Sequence, residues 1–385
     1  MVIVHLGHVP YEGHHHVGLF EAYARRVPTI YLEMGGRSAR DAEPGAGRAR
    51  PGVTGIAPGL ERWRVIPPLP GGRLALASRW NWWLATRSVL KGLARRGLRD
   101  RVLIVQVPRQ LPTLRGLDAD LTAYLVVDGY VGLASMREKA AVARAHRRMV
   151  READLVWTIS DPLREEAGRH RPDIHLTTTG VDYAAFAAAA AAPPSPEMAA
   201  VPAPRIGMVG NLNDRVDWDL AEALASARPA WSFVFVGPLY RASRVTHDAV
   251  ARLRAHPNVW FLPEVTPEDL PRSIAGLDVG LVLYRPGEGT LGINPLKLYQ
   301  YLACGRPVVA TPLPAFDAFR DVVRVGTVPG EFVAAIEAEL AAPDAERLRD
   351  KRRRRSLPFD WEQVARDRLA LLETRLAARR AGKSA

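Results

Sequence analysis

The sequence contains a single cysteine, Cys304, among its 385 residues. One cysteine excludes intrachain disulfides and thiolate metal clusters, and it is typical of proteins from a reducing cytosol. Long apolar runs are also missing, since none approaches the roughly 18 residues that span a bilayer. The opening segment Met1–Leu6 is too short for the apolar core of a secretory signal and predicts a buried strand instead. We therefore expect a cytoplasmic protein without a membrane-spanning segment.

Size and charge restrict the kinds of protein that this sequence can encode. With 385 residues, of which 48% are hydrophobic, the chain can form two domains that each bury a core. No internal repeat of the solenoid type is present. The formal net charge of +12 is high, and it indicates an anionic partner: nucleic acid, a nucleotide or the acidic surface of a membrane.

A proline-rich stretch of small residues, Ala187–Pro204, is the clearest break in the chain. Its composition predicts a semi-rigid linker between domains at residues 1–186 and 205–358, with a final amphipathic helix in residues 359–385. Short apolar strands alternate with helical stretches on both sides, so we expect an α/β protein with two doubly wound parallel sheets that face a cleft. The predicted strands are Val2–Leu6, Thr29–Leu32, Trp63–Ile66, Val102–Val107, Leu121–Val127, Leu155–Ile159, His175–Thr178, Arg205–Val209, Ser232–Val236, Val259–Leu262, Leu277–Tyr284, Pro307–Ala310 and Val322–Val325.

The most informative segment follows the predicted strand Leu277–Tyr284. A glycine-rich loop precedes Asn294, a good N-cap residue, and Pro295 suits the first position of a helix because its missing N–H would have no intrahelical partner. Gly305 ends this helix and another apolar strand follows. A helix start beside a glycine-rich loop at a strand's carboxyl end favours a phosphate, and Lys297 in the first turn adds a positive charge. We expect a phosphate-bearing ligand here.

Two further loops qualify this expectation. Gly287–Gly292 matches the dinucleotide pattern G-x-G-x-x-G, but it lies late in the chain, and a glycine-rich loop does not require NAD. After the strand Arg205–Val209, the loop Gly210–Asp217 has the same strand, loop and helix pattern. There, Arg215 either contacts a diphosphate or is merely solvated beside an ordinary turn.

Two D-x-D sequences resemble the metal site of some sugar transferases. They are Asp118–Asp120 and Asp217–Asp219. Both lie at predicted helix starts or loops, where aspartate commonly caps a helix, so the structural explanation is favoured.

Five of the ten histidines lie within the first sixteen residues, at positions His5, His8, His14, His15 and His16. Consecutive histidines cannot all face one ion on a regular backbone and no cysteine is nearby, so zinc is the weaker interpretation. The favoured interpretation places this segment at a cleft, where one histidine, near His14, binds substrate or moves a proton. The sequence does not determine which histidine has this role.

Asp128 follows a predicted buried strand directly and precedes Gly129. A carboxylate at this position suits a base that deprotonates a hydroxyl nucleophile, although a turn-forming aspartate explains it almost as well.

A basic helix dense in tryptophan is predicted over residues 77–96. Tryptophan at headgroup depth together with arginine toward anionic lipid is typical of helices that lie on a membrane surface. Core packing of Trp80, Trp83 and Leu84 beside a solvated basic face is the alternative. The residues expected to contact the membrane are Arg79, Trp80, Trp82, Trp83 and Arg87.

Taken together, these features resemble the GT-B class of nucleotide-sugar glycosyltransferases, in particular the family-4-like bacterial enzymes of surface polysaccharide assembly. The resemblance spans nearly the whole chain and is strongest after the break. The segments that carry it are Ala153–Ser160, Thr179–Phe186, Arg205–Asp217, Pro229–Pro238, Pro257–Leu262 and Asn294–Pro307.

This resemblance implies two Rossmann-like domains, with the acceptor bound by residues 1–186 and the nucleotide sugar by residues 205–358. It implies that the helix in residues 359–385 crosses back to the first domain, and that no metal or other cofactor is needed because basic residues and helix dipoles neutralise the diphosphate. Lys297 would contact phosphate, and Glu264 and Val265 would lie beside the base. The complete set of nucleotide-binding residues expected is Gly210, Arg215, Glu264, Val265, Thr290, Asn294, Lys297 and Gln300.

The sequence departs from the resemblance at two positions. Retaining family-4 enzymes usually carry two glutamates eight positions apart, where this chain has Gly292 and Gln300. Gln300 can still hydrogen-bond ribose hydroxyls. Its spacing from Lys297 resembles the glucuronosyltransferase of xanthan assembly, an inverting enzyme with an aspartate base, which favours inversion with Asp128 as base and leaves the stereochemistry open.

The sequence thus predicts a cytoplasmic glycosyltransferase, peripheral at the inner membrane face, that moves a sugar from UDP or GDP to a hydroxyl acceptor, lipid-linked or polysaccharide. Asp128 or a histidine near His14 would receive the acceptor proton. Two rivals are a GT-B-fold UDP-sugar epimerase, which would act on donor alone, and a basic nucleic-acid-binding protein, which would show steep salt dependence. The second rival lacks any known nucleic-acid-binding module.

Overall fold

The fold was analysed in a computed structural model of the chain. It describes residues 1–11, 14, 16–34, 51–65, 75–115, 117–239, 242–287 and 289–384, with backbone alone for 75–79 and 383–384. The predicted positions His15 and Ile66, and the side chain of Arg79, lie outside this description. The chain divides into two compact units, one formed by Met1–Thr178 with Trp361–Ala385 and the other by Thr179–Asp360.

The first unit contains an eight-stranded sheet with the order β3-β4-β2-β1-β5-β6-β7-β8. The described neighbours are parallel except for the β3–β4 pair, which is antiparallel. Every residue of β1, β5, β6 and β7 is buried, as expected for strands covered on both faces. The strands are β1 Val2–Gly7, β2 Thr29–Met34, β3 Gly52–Ala57, β4 Leu60–Val65, β5 Arg101–Val105, β6 Leu121–Val126, β7 Leu155–Thr158 and β8 Ile174–Leu176.

The helices of the first unit connect these strands, and a long helix from the end of the chain joins them. The final helix packs against the first one, and the indole of Trp361 occupies the space beside Gly18, where a Cβ would lie 2.4 Å from the ring. The helices are α1 Val17–Ala24, α2 Ala75–Arg95, the 3-10 helix Pro108–Leu114, α3 Tyr130–Leu133, α4 Lys139–Glu152, α5 Asp161–Gly168 and, at the end of the chain, α14 Trp361–Ser384.

The second unit contains a six-stranded parallel sheet with the order β11-β10-β9-β12-β13-β14. Its strands are β9 Arg205–Val209, β10 Ser232–Val236, β11 Val259–Leu262, β12 Val279–Val282, β13 Val308–Ala310 and β14 Val323–Val325. Its helices are α6 Tyr183–Ala189, α7 Pro196–Ala199, α8 Trp218–Ala227, α9 Arg244–Leu253, α10 Leu270–Ala275, α11 Leu296–Ala303, the 3-10 helix Pro314–Phe319, α12 Pro329–Leu340, α13 Ala345–Ser356 and the 3-10 helix Leu357–Phe359.

Both faces of the second sheet are covered by apolar packing. Alternate residues of β10 point to opposite sides: Phe233 and Phe235 pack with α8, α9 and α12, whereas Val234 and Val236 pack with α6, α10 and α11. This two-sided packing is the doubly wound arrangement that the alternation of strands and helices predicts. The fold class is confirmed as two Rossmann-like parallel-sheet units.

The predicted linker Ala187–Pro204 is instead packed into the second unit. Met198 is fully buried in the core, and Gly276 makes room for it, since a Cβ there would lie 2.4 Å from the Met198 Cγ. The Arg272 guanidinium donates to the carbonyls of Pro193 and Pro194 at 3.3 Å. Short alanine helices and prolines can pack closely against a sheet's helical layer, so this composition does not indicate an exposed linker. The boundary between the two units falls after Thr178 instead.

Candidate functional site

The candidate phosphate site lies at the carboxyl ends of β9 and β12. These strands are neighbours in the sheet, but β10 and β11 lie on the other side of β9, so the chain reverses direction across the sheet at this point. Ligands of open parallel sheets bind at such switch points. The two loops are joined by hydrogen bonds, from the Asp217 N–H to the Leu283 carbonyl at 2.9 Å and from the Arg285 N–H to the Arg215 carbonyl at 2.8 Å. Both predicted phosphate loops therefore lie side by side.

Lys297 places a buried positive charge at this position. It is the second residue of α11, its exposed fraction is 7%, and its Nζ donates to the Tyr284 hydroxyl at 3.2 Å. The ammonium also lies 5.2 Å from the centre of the Tyr284 ring. No carboxylate of the described residues pairs with Lys297. Since an ammonium removed from water is unfavourable without an opposite charge, the site is suited to an anion.

The glycine that follows β9 allows close approach to this charge. Gly210 has a φ of 120°, a conformation that residues with a side chain rarely adopt, and a Cβ there would lie 3.6 Å from the Lys297 Nζ. Gly237, after β10, has a φ of 130°, and a Cβ on it would lie 2.3 Å from the Gly210 carbonyl oxygen. Both positions therefore require glycine, Gly210 for its backbone conformation and Gly237 also for the space beside the Gly210 carbonyl.

The start of α11 differs from the prediction by one residue. The helix begins at Leu296, so Pro295 occupies the N-cap position and Asn294 precedes it. The Asn294 Oδ1 accepts a hydrogen bond from the Tyr299 hydroxyl at 2.7 Å and does not cap the helix. The physical reason is the extended backbone of Pro295, with a ψ of 119°, which starts the helix after the proline. No side chain of the described residues caps α11, and Leu296 and Lys297 present its first N–H groups.

The other predicted nucleotide-binding residues lie in the loop after β12, in α11 and in the loop after β11. The Thr290 hydroxyl donates to the carbonyls of Arg285 and Gly287 at 2.8 and 3.0 Å, so it closes the loop after β12 and is not available as a ligand donor. Gln300 is half-buried in α11. Glu264 is exposed and Val265 half-buried after β11, two strands away from β9.

Both D-x-D sequences have structural roles, but only Asp217 caps a helix as predicted. The Asp217 carboxylate accepts from the Leu220 N–H at 3.1 Å and caps α8, while Asp219 pairs with Arg285 at 3.1 Å. In the first unit, the buried Arg101 side chain pairs with Asp118 at 2.8 Å and Asp120 at 3.2 Å.

A second polar cluster lies at the switch point of the first sheet, where β1 and β5 end. His14 is buried, with an exposed fraction of 7%, and burial lowers its pKa well below the usual range. Its Nδ1 accepts from the His16 N–H at 3.1 Å, and its Nε2 lies 3.4 Å from the Gln106 Oε1. Burial also lowers the pKa of His5 to about 3, so these two rings are neutral. With both nitrogens engaged, His14 is poorly placed to accept a substrate proton.

Sequence reasoning missed Gln106, which organises this cluster. Its side-chain Oε1 accepts from the His8 Nδ1 at 2.9 Å, and its backbone N–H donates to the Gln110 Oε1 at 2.8 Å. The only indication in the sequence is that Gln106 is a lone polar residue within the apolar segment Val102–Val107, which predicts a strand. Gln106 directly follows β5 and is fully buried.

Asp128 lies at the carboxyl end of β6, beside this cluster in the strand order. Its carbonyl accepts from the Tyr130 N–H at 2.9 Å. Burial, with the nearby Asp128 charge, raises the pKa of the Tyr130 phenol. The role of Asp128 as a base stays a prediction.

Helix α2 buries Trp82 and exposes Trp80, so the core-packing interpretation is wrong for Trp80. Trp82 is buried, with an exposed fraction of 3%, so its predicted membrane contact is wrong because this face of the helix packs in the core. Trp80 is 56% exposed, and its ring centre lies 5.8 Å from that of Trp83. The Arg87 guanidinium lies 5.0 Å from the centre of the Trp83 ring. Across the residues described, no helix combines the length and apolarity that crossing a bilayer requires.

Comparison with known proteins shows which families and structures the chain resembles. The family model for glycosyl transferases group 1 matches residues 203–349, which lie within the second unit. Over 248 residues, the chain is 27% identical to a Bacillus subtilis (strain 168) protein that is named, provisionally, teichuronic acid biosynthesis glycosyltransferase TuaH. That match covers 62% of this chain and 62% of the relative, which is less than two thirds of the relative's length.

Solved structures match over nearly the whole chain. The sucrose-phosphate synthase of Thermosynechococcus elongatus superposes with a TM-score of 0.75 at 18% sequence identity. The superposition covers 98% of this chain and 99% of the synthase chain. An E. coli structure, described as trehalose-6-phosphate bound with UDP-2-fluoro glucose, superposes with a TM-score of 0.68 at 13% identity, covering 97% and 99%. These identities establish the fold alone. The predicted resemblance to the GT-B glycosyltransferases is confirmed, whereas the similarity to the xanthan enzyme stays a prediction.

Proposed function

We propose that this protein is a glycosyltransferase that moves a sugar from a nucleoside diphosphate, UDP or GDP, to a hydroxyl acceptor during surface polysaccharide assembly. In this proposal the second unit binds the nucleotide sugar and the first unit binds the acceptor. The acceptor is a lipid-linked or polysaccharide intermediate.

The observation that carries the proposal is the buried ammonium of Lys297. It lies at the switch point, beside a glycine backbone, and it has no carboxylate partner among the described residues. A diphosphate would supply the missing negative charge, and its oxygens would also accept from the first N–H groups of α11. A neutral ligand would leave the charge uncompensated.

The comparisons support the same activity from a separate direction. The group 1 glycosyltransferase family model matches residues 203–349, within the unit that contains Lys297. The Bacillus subtilis relative is named for teichuronic acid biosynthesis, and one structural neighbour binds UDP-2-fluoro glucose. Each property is that protein's own, and together they favour a nucleotide-sugar donor and a polysaccharide product here.

The site's positive charge also suggests how transfer is promoted. As the bond between the sugar and the diphosphate breaks, negative charge grows on the diphosphate oxygens. Lys297 and the α11 helix start are already oriented, so they stabilise that charge without rearranging. Because the protein itself supplies the compensating charge, we expect transfer to continue in EDTA, and a loss of activity that Mg²⁺ or Mn²⁺ restores would contradict this assignment.

The exposed face of α2 favours contact with an anionic membrane. Trp80, Arg87, Lys91 and Arg95 follow one another along this face, all of them exposed, and α2 contains no acidic residue. Exposed tryptophan at one end and basic residues along the helix fit a surface-bound orientation. Such contact would bring the first unit to a lipid-linked acceptor.

A donor screen tests the proposed activity. Purified protein is incubated with a panel of UDP- and GDP-sugars, with and without membrane extract as the source of acceptor, and the released nucleoside diphosphate is measured. We expect release that depends on both one donor and the acceptor. Conversion of the donor to its epimer without acceptor would favour an epimerase, and salt-sensitive nucleic-acid binding without nucleotide-sugar affinity would overturn the proposal.

A further inference from the structure

The hydroxyl group of Tyr284 contacts the buried ammonium of Lys297 directly. The Lys297 Nζ lies 3.2 Å from the Tyr284 hydroxyl oxygen and 5.2 Å from the centre of the ring, so it meets the hydroxyl end of the side chain. Tyr284 is the second residue after β12, in the loop that borders the candidate phosphate site. The contact therefore lies within the second unit, at the place where we propose that the nucleotide binds.

The direction of this hydrogen bond follows from the chemistry of the two groups. A lysine ammonium carries three donors and no acceptor, so the Tyr284 oxygen must accept. The hydroxyl proton of Tyr284 must then point away from Lys297, and no acceptor for it is found among the described residues. Because hydrogen bonds in series polarise one another, a hydroxyl that accepts from a cation is also a stronger donor. The Tyr284 O–H is thus a strong donor available to a ligand.

The position of Tyr284 is fixed before any ligand binds. Its backbone N–H donates to the Thr311 Oγ1 at 3.0 Å, and the Thr311 side chain is itself buried after β13. On the other side, Tyr284 forms a β-bridge with Val216, in the loop after β9. Its half-buried ring packs against the hydrophobic cluster that contains Leu298 of α11. Since the side chain is already ordered, donation to a ligand costs little conformational entropy.

Several donors converge at this position. The Lys297 ammonium gives one of its three N–H groups to Tyr284, and it lies close to the backbone of Gly210, where a Cβ would be 3.6 Å from the Nζ. The Tyr284 O–H and the first N–H groups of α11 add neutral donors beside this charge. A phosphate group carries several strong acceptor oxygens and negative charge, so it can satisfy such a set of donors at once.

We infer that the Tyr284 hydroxyl donates a hydrogen bond to a diphosphate oxygen of the bound nucleotide, while its own oxygen continues to accept from Lys297. This inference rests on the proposed glycosyl transfer. Tyr284 is then a second side chain that binds the diphosphate. Its O–H also stabilises the negative charge that grows on the diphosphate as the sugar leaves, because it is oriented beforehand.

A double-mutant cycle in nucleotide affinity tests the donation. Isothermal calorimetry with UDP and GDP is performed on the wild type, Tyr284→Phe, Lys297→Met and the double variant. Phenylalanine keeps the ring and removes only the hydroxyl. A hydrogen bond to a charged acceptor is lost, so Tyr284→Phe should raise the Kd about 10- to 100-fold, both in the wild-type background and in the Lys297→Met background. If the change has no effect once Lys297 is methionine, Tyr284 only orients the ammonium and the inference is refuted.

A second cycle, in the melting temperature of the ligand-free protein, separates binding from folding. Tyr284→Phe should lower the melting temperature, because the buried ammonium loses its acceptor among the described residues. In the Lys297→Met background the same change should have little effect, because no ammonium remains. Equal losses in both backgrounds would show that the hydroxyl stabilises the fold independently of Lys297, which contradicts the assigned direction of the hydrogen bond.

Tyr183→Phe is the matched control, because Tyr183 is also half-buried against the same hydrophobic cluster but lies on α6. It should leave both the Kd and the melting temperature unchanged. If Tyr284→Phe is too unstable to assay, the comparison of Lys297→Met with the double variant still tests the donation.

The two proposals can fail separately. If the wild type binds UDP or GDP and Tyr284→Phe binds it equally well, the role of Tyr284 is refuted and the proposed function stands. If the wild type binds neither nucleotide, the proposed function is overturned together with this role, while the melting-temperature cycle still shows whether Tyr284 and Lys297 are paired.

Discussion

Replacing Lys297 by methionine should weaken nucleotide binding without weakening the fold. Methionine keeps most of the side-chain volume and removes the charge, which is buried and has no carboxylate partner in the described part of the chain. A hydrogen bond to a charged group contributes about 1.5–3 kcal/mol, so we expect the Kd for UDP or GDP to rise about 10- to 150-fold. The ligand-free protein should be as stable as the wild type or more so, because a desolvated charge is removed.

Isothermal calorimetry with UDP and GDP measures the affinity, and thermal unfolding without ligand measures the stability. Lys351→Met is a matched control, because this lysine lies on the surface of α13, where its Nζ is 3.4 Å from an Asp321 carboxylate oxygen. The control should leave the Kd unchanged. If Lys297→Met lowers the melting temperature and binds the nucleotide as tightly as wild type, then the ammonium has a structural role and the reasoning is refuted.

Further predictions concern the backbone, the surface and the response to acid. Gly210→Ala should lower the free energy of unfolding by about 1–3 kcal/mol and weaken nucleotide binding, because its φ of 120° suits only glycine, whereas Gly287→Ala, with open space around it, should be neutral in both assays. Trp82→Ala should cost about 3–5 kcal/mol in urea unfolding, and equal losses for Trp80→Ala would contradict the observed burial. Trp80→Ala should instead reduce sedimentation with anionic vesicles while leaving stability unchanged. Burial lowers the pKa of His146 from 6.5 to about 4, so its stabilisation is present above pH 6.5 and is lost as the pH falls toward 4, by up to about 1.4 kcal/mol per pH unit. His146→Gln should flatten this decline in urea unfolding at pH 5 and 7, and an unchanged slope would exclude this histidine as its cause.

The strands of both sheets could be predicted because buried parallel strands are continuous apolar runs. β9, β10 and β11 have the predicted bounds, and β12 is shorter than the predicted strand Leu277–Tyr284. The antiparallel strand β3 was missed because it carries two glycines and its residues are largely exposed, so it lacks a hydrophobic pattern. An edge strand with few buried side chains leaves little hydrophobic pattern in the sequence.

The two sites differ in how much of them the sequence contains. The places of Lys297 in the first turn of a helix and of Gly210 in the loop after a strand could be predicted, because local rules for helix starts and glycine loops apply to segments continuous in the chain. The partner of Lys297, Tyr284, and the Gln106 that links His8 to His14 come from contacts between distant segments. The predicted cap at Asn294 failed for a local reason, because the Tyr299 hydroxyl engages its side-chain oxygen and Pro295 takes the N-cap position.

A crystal structure of the protein soaked with UDP or GDP tests the central claim most directly. We predict diphosphate oxygens within hydrogen-bond distance of the Lys297 Nζ and the first N–H groups of α11, beside Gly210. A nucleotide bound elsewhere in the second unit, with Lys297 still paired to the Tyr284 hydroxyl alone, would contradict the account.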